Sequence, residues 1–214
     1  MRILFAVLSA AVAFCVAVAF WPARSVAPGV NPDPNHTHAD FAVWIGGKEV
    51  DFAKEKYMSG ASTDANHDQE VGNRKYLHLH DGIGHVIHRH KPGLTLAQFF
   101  ETIGVTFRKN GLNLCMTIDG KESCENEAAH RSWIMTVNGI KQPFLNADYA
   151  FEDGDHILLL LPQTDTEDGQ NTEISNALGV MTDDACLYSR TCPERGEPPA
   201  ENCIADPEVP CVVQ

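Results

Sequence analysis

Apolar positions alternate with polar or small ones in several short blocks of this chain, and glycine-bearing turns separate the blocks. In "HADFAVWIGGKEVDF" Phe41, Val43 and Ile45 point one way and Ala42 and Trp44 the other, before Gly46-Gly47 returns the chain into Val50 and Phe52. A period of two closed by a glycine pair predicts a β-hairpin. "YLHLHDGIGHVIHRH" (76–90) reads as a second hairpin and "LNLCMTIDGKESC" as a third. "SWIMTVNGIKQPF" puts Trp133, Met135 and Val137 on one face ahead of an Asn138-Gly139 turn. "DHILLLL" does not alternate, and a continuous apolar run suits a strand buried on both faces. One segment changes period: Thr95 precedes Leu96, Phe99, Phe100 and Ile103 at helical spacing, with Gly104 as the stop. The polar stretch from Ser59 to Arg74 predicts a surface loop. The order predicts an α+β fold: a β-grasp-like mixed sheet with one main helix, preceded by a β-hairpin and followed by a disulfide-stapled irregular tail.

The flanks extend this picture. Residues 1–27 read as a signal peptide or an N-terminal membrane anchor: Arg2 precedes an apolar run from Ile3 to Trp21, and Ala17-Val18-Ala19 offers a small-residue cleavage site. The run is also just long enough to span a bilayer. Residues 28–35 form a Pro/Asn linker, 36–163 the His-rich β-grasp-like domain, and 164–214 an acidic, Cys-rich tail. Export agrees with the cysteines. Apart from Cys15 in the leader there are Cys115, Cys124, Cys186, Cys192, Cys203 and Cys211, an even set that predicts three disulfides in an oxidising compartment. Spacing leaves their connectivity open, although Cys115 and Cys124 flank the third hairpin and a bond between them would staple it. The tail is too short and too polar to build a core, so two disulfides are expected to hold it. No C-x-x-C occurs, which removes a thioredoxin-type dithiol.

The net charge of −13 argues against nucleic acid or an anionic membrane surface as partner. It is concentrated at the C-terminal end, where residues from Thr164 onward carry 11 Asp/Glu against 2 Arg.

Ten histidines concentrate the chemistry. Six form three His-x-His pairs: His36/His38, His78/His80 and His88/His90. Residues two apart on a strand face the same side, so each pair offers two imidazoles from one face. Polarity selects the register of the second hairpin. With His78 opposite His88, His80 opposes Val86 and Tyr76 opposes His90. All four paired histidines then share a face, while Leu77, Leu79 and Ile87 share the other with His85 and Arg89. A slip by one residue would mix both faces. If the first strand lies beside this hairpin, His36, His38 and Asp40 join the same side. Up to six histidines and a carboxylate then line one open sheet face.

Clustered neutral imidazoles suit Zn²⁺, Cu²⁺ or Ni²⁺, and N-donor sites favour copper. The candidate metal ligands are therefore His36, His38, His78, His80, His88 and His90. His67, His130 and His156 read as structural or exposed residues. His85 at the hairpin tip is intermediate, since its spacing to His88 allows it to reach a metal at the edge.

The blocks H-x-HADF, HLH and VIH-x-H together resemble an uncharacterised family of exported or membrane-anchored prokaryotic proteins, over about residues 36–161. Some of these carry a disulfide-isomerase label, which does not transfer to a chain lacking C-x-x-C. The resemblance implies a common fold and a shared histidine site. "W-x-x-x-VNG" and "DGDHILLLL" resemble the closing strands of the β-grasp domain of transcobalamin type. The reading that follows is an exported copper- or zinc-binding module for metal capture, buffering or delivery, whose partners are the ion and another cell-envelope protein. Two alternatives stand beside it. One is an extracellular interaction domain whose acidic tail contacts cationic partners. The other is a mononuclear metal-dependent enzyme with Asp40 or Asp81 as candidate base, although no H-E-x-x-H or G-x-S-x-G pattern supports catalysis.

Overall fold

Strand β1 (Thr37–Ile45) organises the computed structural model, which describes residues 30, 31, 33, 35–59 and 72–197. The leader, most of the polar stretch after Ser59, His67, Cys203 and Cys211 lie outside the described residues. β1 turns through Gly46-Gly47 into β2 (Lys48–Glu49) and pairs with it antiparallel. The second hairpin supplies β3 (Leu77–His78) and β4 (Val86–Arg89). Next come helix α1 (Leu96–Thr102) and the strands β5 (Thr106–Asn110), β6 (Asn113–Ile118) and β7 (Lys121–Cys124). β8 (Ile134–Val137), β9 (Ile140–Lys141) and β10 (Asp155–Leu161) complete the strands, followed by helices α2 (Glu167–Leu178) and α3 (Ala185–Tyr188). The main sheet runs in the order β3-β4-β1-β10-β8-β9, with β2 also beside β1, and β5-β6-β7 form a second sheet. The architecture is α+β.

Local chemistry accounts for the elements. Asn138 and Gly139 both take positive φ (53° and 74°), as do Asp119 and Gly120 (53° and 73°). Two successive left-handed residues match the strand twist in a two-residue hairpin, which is why Asn-Gly and Asp-Gly occupy these turns. Thr95 and Gln98 cap α1 reciprocally: the Thr95 hydroxyl accepts from Gln98 N and Gln98 Oε1 accepts from Thr95 N. Cys115 and Cys124 oppose each other across β6 and β7 and are disulfide-bonded, as the hairpin reading expected.

β10 lies between β1, which runs parallel to it, and β8, which runs antiparallel. Its two faces meet different layers. Ile157, Leu159 and Leu161 enter the main core with Phe41, Val43, Phe99, Phe100 and Met116, while Leu158 and Leu160 pack with Ala42, Ile134 and Ala177. This is the strand buried on both faces that the apolar run predicted.

The tail departs from expectation. It is not irregular throughout: α2 is a 12-residue helix with Thr166 capping its N-terminus, and Ala177 together with Ile174 and Leu178 covers the second face of the sheet. Sequence pattern hid it because only a few apolar residues point inward from a mostly polar helix. A Cys186–Cys192 disulfide closes the next turn. No helix among the described residues is long and apolar enough to cross a membrane.

The core rests on aromatic packing around α1. The Phe99 ring lies 5.0 Å from Phe41, edge-on, and 5.3 Å from Phe100, with no exposed surface. Phe99→Ala should cost about 3–5 kcal/mol, read as a lower urea midpoint at unchanged slope. A loss below about 1 kcal/mol would mean that the helix docks without this ring.

Candidate metal centre

Three histidines from three strands stand in one row. His38 of β1 opposes His88 of β4, and His88 opposes His78 of β3. This is the hairpin register that polarity selected, with β1 beside it, and His90 N donates to Tyr76 O at 2.7 Å. The alternative is physically poor, because a one-residue slip would exchange Leu77 and Ile87 in the core for imidazoles. The β3–β4 ladder stops at His78. Leu79 instead bridges to Met58, and Val86 pairs with Asp40 of β1, so His80 is not the ladder partner of Val86 that the reading expected.

The six imidazoles of the His-x-His pairs close a loop. Ring centroids are 4.5 Å apart for His36–His38, 4.8 Å for His38–His88 and 3.9 Å for His88–His80. The loop continues at 5.7 Å for His80–His78, 5.0 Å for His78–His90 and 4.0 Å for His90–His36. One ligand nitrogen from each of His36, His38 and His88 lies within 4.8 Å of the others. Five of the six side chains are at most 2 % exposed, and His36 is half-buried.

Hydrogen-bond chains orient these rings, and donor chemistry assigns their tautomers. Ser189 Oγ donates to Asp153 Oδ1 at 2.5 Å and therefore accepts from His38 Nδ1 at 2.8 Å. His78 Nδ1 donates to the Arg74 carbonyl at 2.9 Å. Asp81 Oδ2 accepts from His80 Nδ1 at 2.9 Å, so His80 Nε2 accepts from His88 Nδ1 at 3.2 Å. In neutral His38, His78 and His88 the lone pair accordingly sits on Nε2. Carboxylate, hydroxyl and carbonyl partners on Nδ1 are the arrangement that fixes a histidine for coordination through its other nitrogen.

The imidazole face is not the open surface that the strand pattern implied. Residues Thr182–Ser189 lie over it. The Tyr188 ring sits edge-on, 4.8 Å from His88 and 6.3 Å from His80, and 5.6 Å from His38. Asp40 anchors this cover: its carboxylate accepts from Thr182 Oγ1 at 2.7 Å and from the Asp184 and Ala185 N–H groups at 2.9 Å each. His85 Nε2 contacts Asp184 Oδ2 at 2.9 Å, and His156 Nε2 lies 3.2 Å from Asp183 Oδ1.

Several residues therefore take roles other than those expected. Asp40, the candidate base, holds the tail, and burial pushes its carboxyl pKa up against the opposing pull of Thr182, Ala185, Asp184 and His156. Asp81 orients His80. His85 pairs with the tail at the hairpin tip. Arg89, which the register placed on the face away from the imidazoles, stacks over Phe151, 4.7 Å from its ring.

Local pattern carried no signal for Ser189, Asp153 or Tyr188: Ser189 meets His38 across 151 residues and Asp153 across 36, and Tyr188 reaches His38, His80 and His88 from the tail. Two other clusters have geometry for a cation. In one, Cys115 and Cys124 are bonded to each other and offer no thiolate; in the other, Asp40, His156 and Asp183 belong to the clasp.

No family model, curated protein or solved structure matches the chain.

Burial, followed by the neighbouring His36, His78, His88 and His38, holds the His90 pKa well below the usual imidazole value of 6.5. The folded chain thus binds fewer protons than the unfolded chain once the pH drops beneath 6.5. Stability should be flat above that value and fall as the pH descends toward the lowered one. Urea midpoints of the metal-free protein at about pH 7.5, 6.5, 5.5 and 4.5 read this, and a constant midpoint contradicts it. Asp40→Ala should cost about 1–3 kcal/mol and make the segment from Val180 to Arg195 the first site of limited proteolysis. Unchanged cleavage would show that the cover does not depend on this carboxylate.

Proposed function

We propose that this chain is a metal-binding module that acts outside the cytoplasm and holds copper or zinc through its clustered His-x-His pairs, for capture, buffering or delivery. The observation that carries the reading is the trio of His36, His38 and His88 nitrogens gathered within 4.8 Å, with His38 and His88 buried and His36 half-buried. Burial and the neighbouring imidazoles lower the pKa of His90, which favours its neutral form, the state of histidine that binds a metal.

The donor set narrows the ion. Nitrogen ligands suit copper and zinc, with copper favoured at equal geometry, and hard oxygen-seeking cations are poorly served. The described cysteines are paired in two disulfides, which fits an oxidising environment and leaves thiolate chemistry out of the site. The apolar run Ile3–Trp21 supports export, by a cleaved leader or a retained anchor. The resemblance to exported proteins carrying H-x-HADF, HLH and VIH-x-H belongs to the same reading. The cover supports holding or handing over an ion: exchange requires displacing Tyr188 and Ser189, which are tethered by polar contacts and not by a large core.

Calorimetric titration of the purified full chain with Cu²⁺ and with Zn²⁺ tests this. Binding is expected at about pH 7.5 and much weaker binding at about pH 5.5, as imidazoles protonate. Absence of binding by either ion at the higher pH overturns the proposal. His38→Ala and His88→Ala should each remove most of the affinity while circular dichroism stays native. Ser189→Ala should weaken it about 10-fold or more by releasing the His38 ring.

A further inference from the structure

The part of the cover that touches the imidazoles has little of its own to keep it folded. Helix α3 is four residues long with Ala185 buried, too short to be stable by itself. The Cys186–Cys192 bond closes this stretch at a sequence separation of 6, and the Thr191 N–H donates to the Cys186 carbonyl within it at 2.9 Å. Both residues that lie against the rings, Tyr188 against His88 and Ser189 on His38, sit between the two cysteines. Asp40 holds the other end: its donors Thr182, Asp184 and Ala185 all precede Cys186.

Arg195 stands beside the bond. Its Nη1 donates to Cys186 Sγ at 3.4 Å and to the Asp183 carbonyl, and its Nη2 donates to Asp184 Oδ1 at 2.9 Å. A guanidinium beside a sulfur attracts an incoming thiolate and stabilises the thiolate that later departs. Cys186 is the half-buried member of the pair, so it is the sulfur that an outside thiolate reaches first. The Cys115–Cys124 bond is placed differently, between paired strands, with Cys115 fully buried.

We propose that Cys186–Cys192 is a reducible latch on the metal centre, opened by thiol–disulfide exchange with a dithiol. The inference rests on the metal-binding reading above and supplies its regulation. One thiolate of the dithiol attacks Cys186 Sγ and forms a mixed disulfide. The bond to Cys192 breaks, and Cys192 leaves as a thiolate that takes a proton. The second thiolate of the dithiol then attacks the dithiol sulfur bonded to Cys186. The dithiol closes to a disulfide, and Cys186 leaves as a thiolate beside Arg195. Two electrons pass from the dithiol to the protein's disulfide, and the reverse exchange with an oxidised dithiol closes the latch.

Opening changes the rings without detaching the tail. Ser189 Oγ accepts from His38 Nδ1 and donates to Asp153, so a freed loop loosens the partner that orients His38 for coordination. Tyr188 is released from His88 in the same movement, while Asp40 keeps its hold on Thr182–Ala185. The ion then exchanges from an uncovered face.

The full, metal-free chain is treated with limiting dithiothreitol and alkylated with iodoacetamide, and the modified cysteines are mapped by mass spectrometry. After removal of the reagents it is loaded with Zn²⁺, and zinc release to a colorimetric chelator is timed against the untreated chain. Cys186 and Cys192 should be alkylated before Cys115 and Cys124. The opened chain should release zinc about 10-fold faster or more, as expected when the partner of a ligand is loosened. A chain carrying Cys186→Ser with Cys192→Ser should show the same acceleration without reagents. Arg195→Gln should slow the reduction, and Arg195→Lys should restore it. Equal release rates from bonded and opened chains overturn the latch and leave the metal-binding reading intact, whereas zinc bound by neither form overturns both. Reduction of Cys115–Cys124 first, or an Arg195→Gln chain reduced as fast as wild type, also overturns the inference.

Discussion

The cross-strand row His38–His88–His78 is the constraint on which the rest of the molecule turns. Backbone pairing of β1, β4 and β3 sets it, and the opposite face of the same strands enforces it. Ala39 and Ile87 pair directly behind the row, and Leu77 and Leu79 pack with them in the main core. A shift that separated the histidines would lift these side chains out of the core at roughly 1.5–3 kcal/mol each for the larger ones. The apolar face thus holds the polar one in register, and the imidazoles are assembled without having to attract one another.

Burying that row creates a demand that the remaining chain meets. Polar groups removed from water cost free energy unless they are hydrogen-bonded, and the partners come from far away in sequence. Ser189 reaches His38 across 151 residues, and Asp153, which accepts from both Ser189 Oγ and His38 N, enters from the turn before β10. The second face of the sheet is consequently divided. Ala42, Leu158 and Leu160 lie under α2, and the histidines lie under the turn that carries α3. An acidic, cysteine-stapled tail that reads as an appendage is one wall of the site. Its acidity has a local use as well: Asp183 and Asp184 meet His156, His85 and Arg195 at the rim.

Much of this was legible in one dimension because strand chemistry is local. A period of two sorted Phe41 and Val43 from Ala42 and Trp44, and Asn138-Gly139 and Asp119-Gly120 announced their turns. Thr95 and Gly104 bounded the helix, and the apolar run of β10 announced burial on both faces. Because polar and apolar residues cannot trade faces cheaply, even the His78–His88 register was recoverable. The helix in the tail was not, since α2 buries so little of its surface that no apolar period stands out. Nor was the end of the β3–β4 ladder, where Leu79 turns aside to Met58.

Alternation and spacing alone settled which side chains share a face, because side-chain direction in a strand follows from backbone geometry within a few residues. Whether that face meets water was decided only by the fold. The His-x-His pairs specify a polar surface, and nothing in their spacing says that Asp40 would draw residues Thr182–Ala185 across it or that Tyr188 would lie against His88. Long-range closure depends on the path of more than a hundred intervening residues, which no local pattern encodes. A stripe of histidines on a hairpin becomes a buried, oriented and covered loop of six imidazoles through that path.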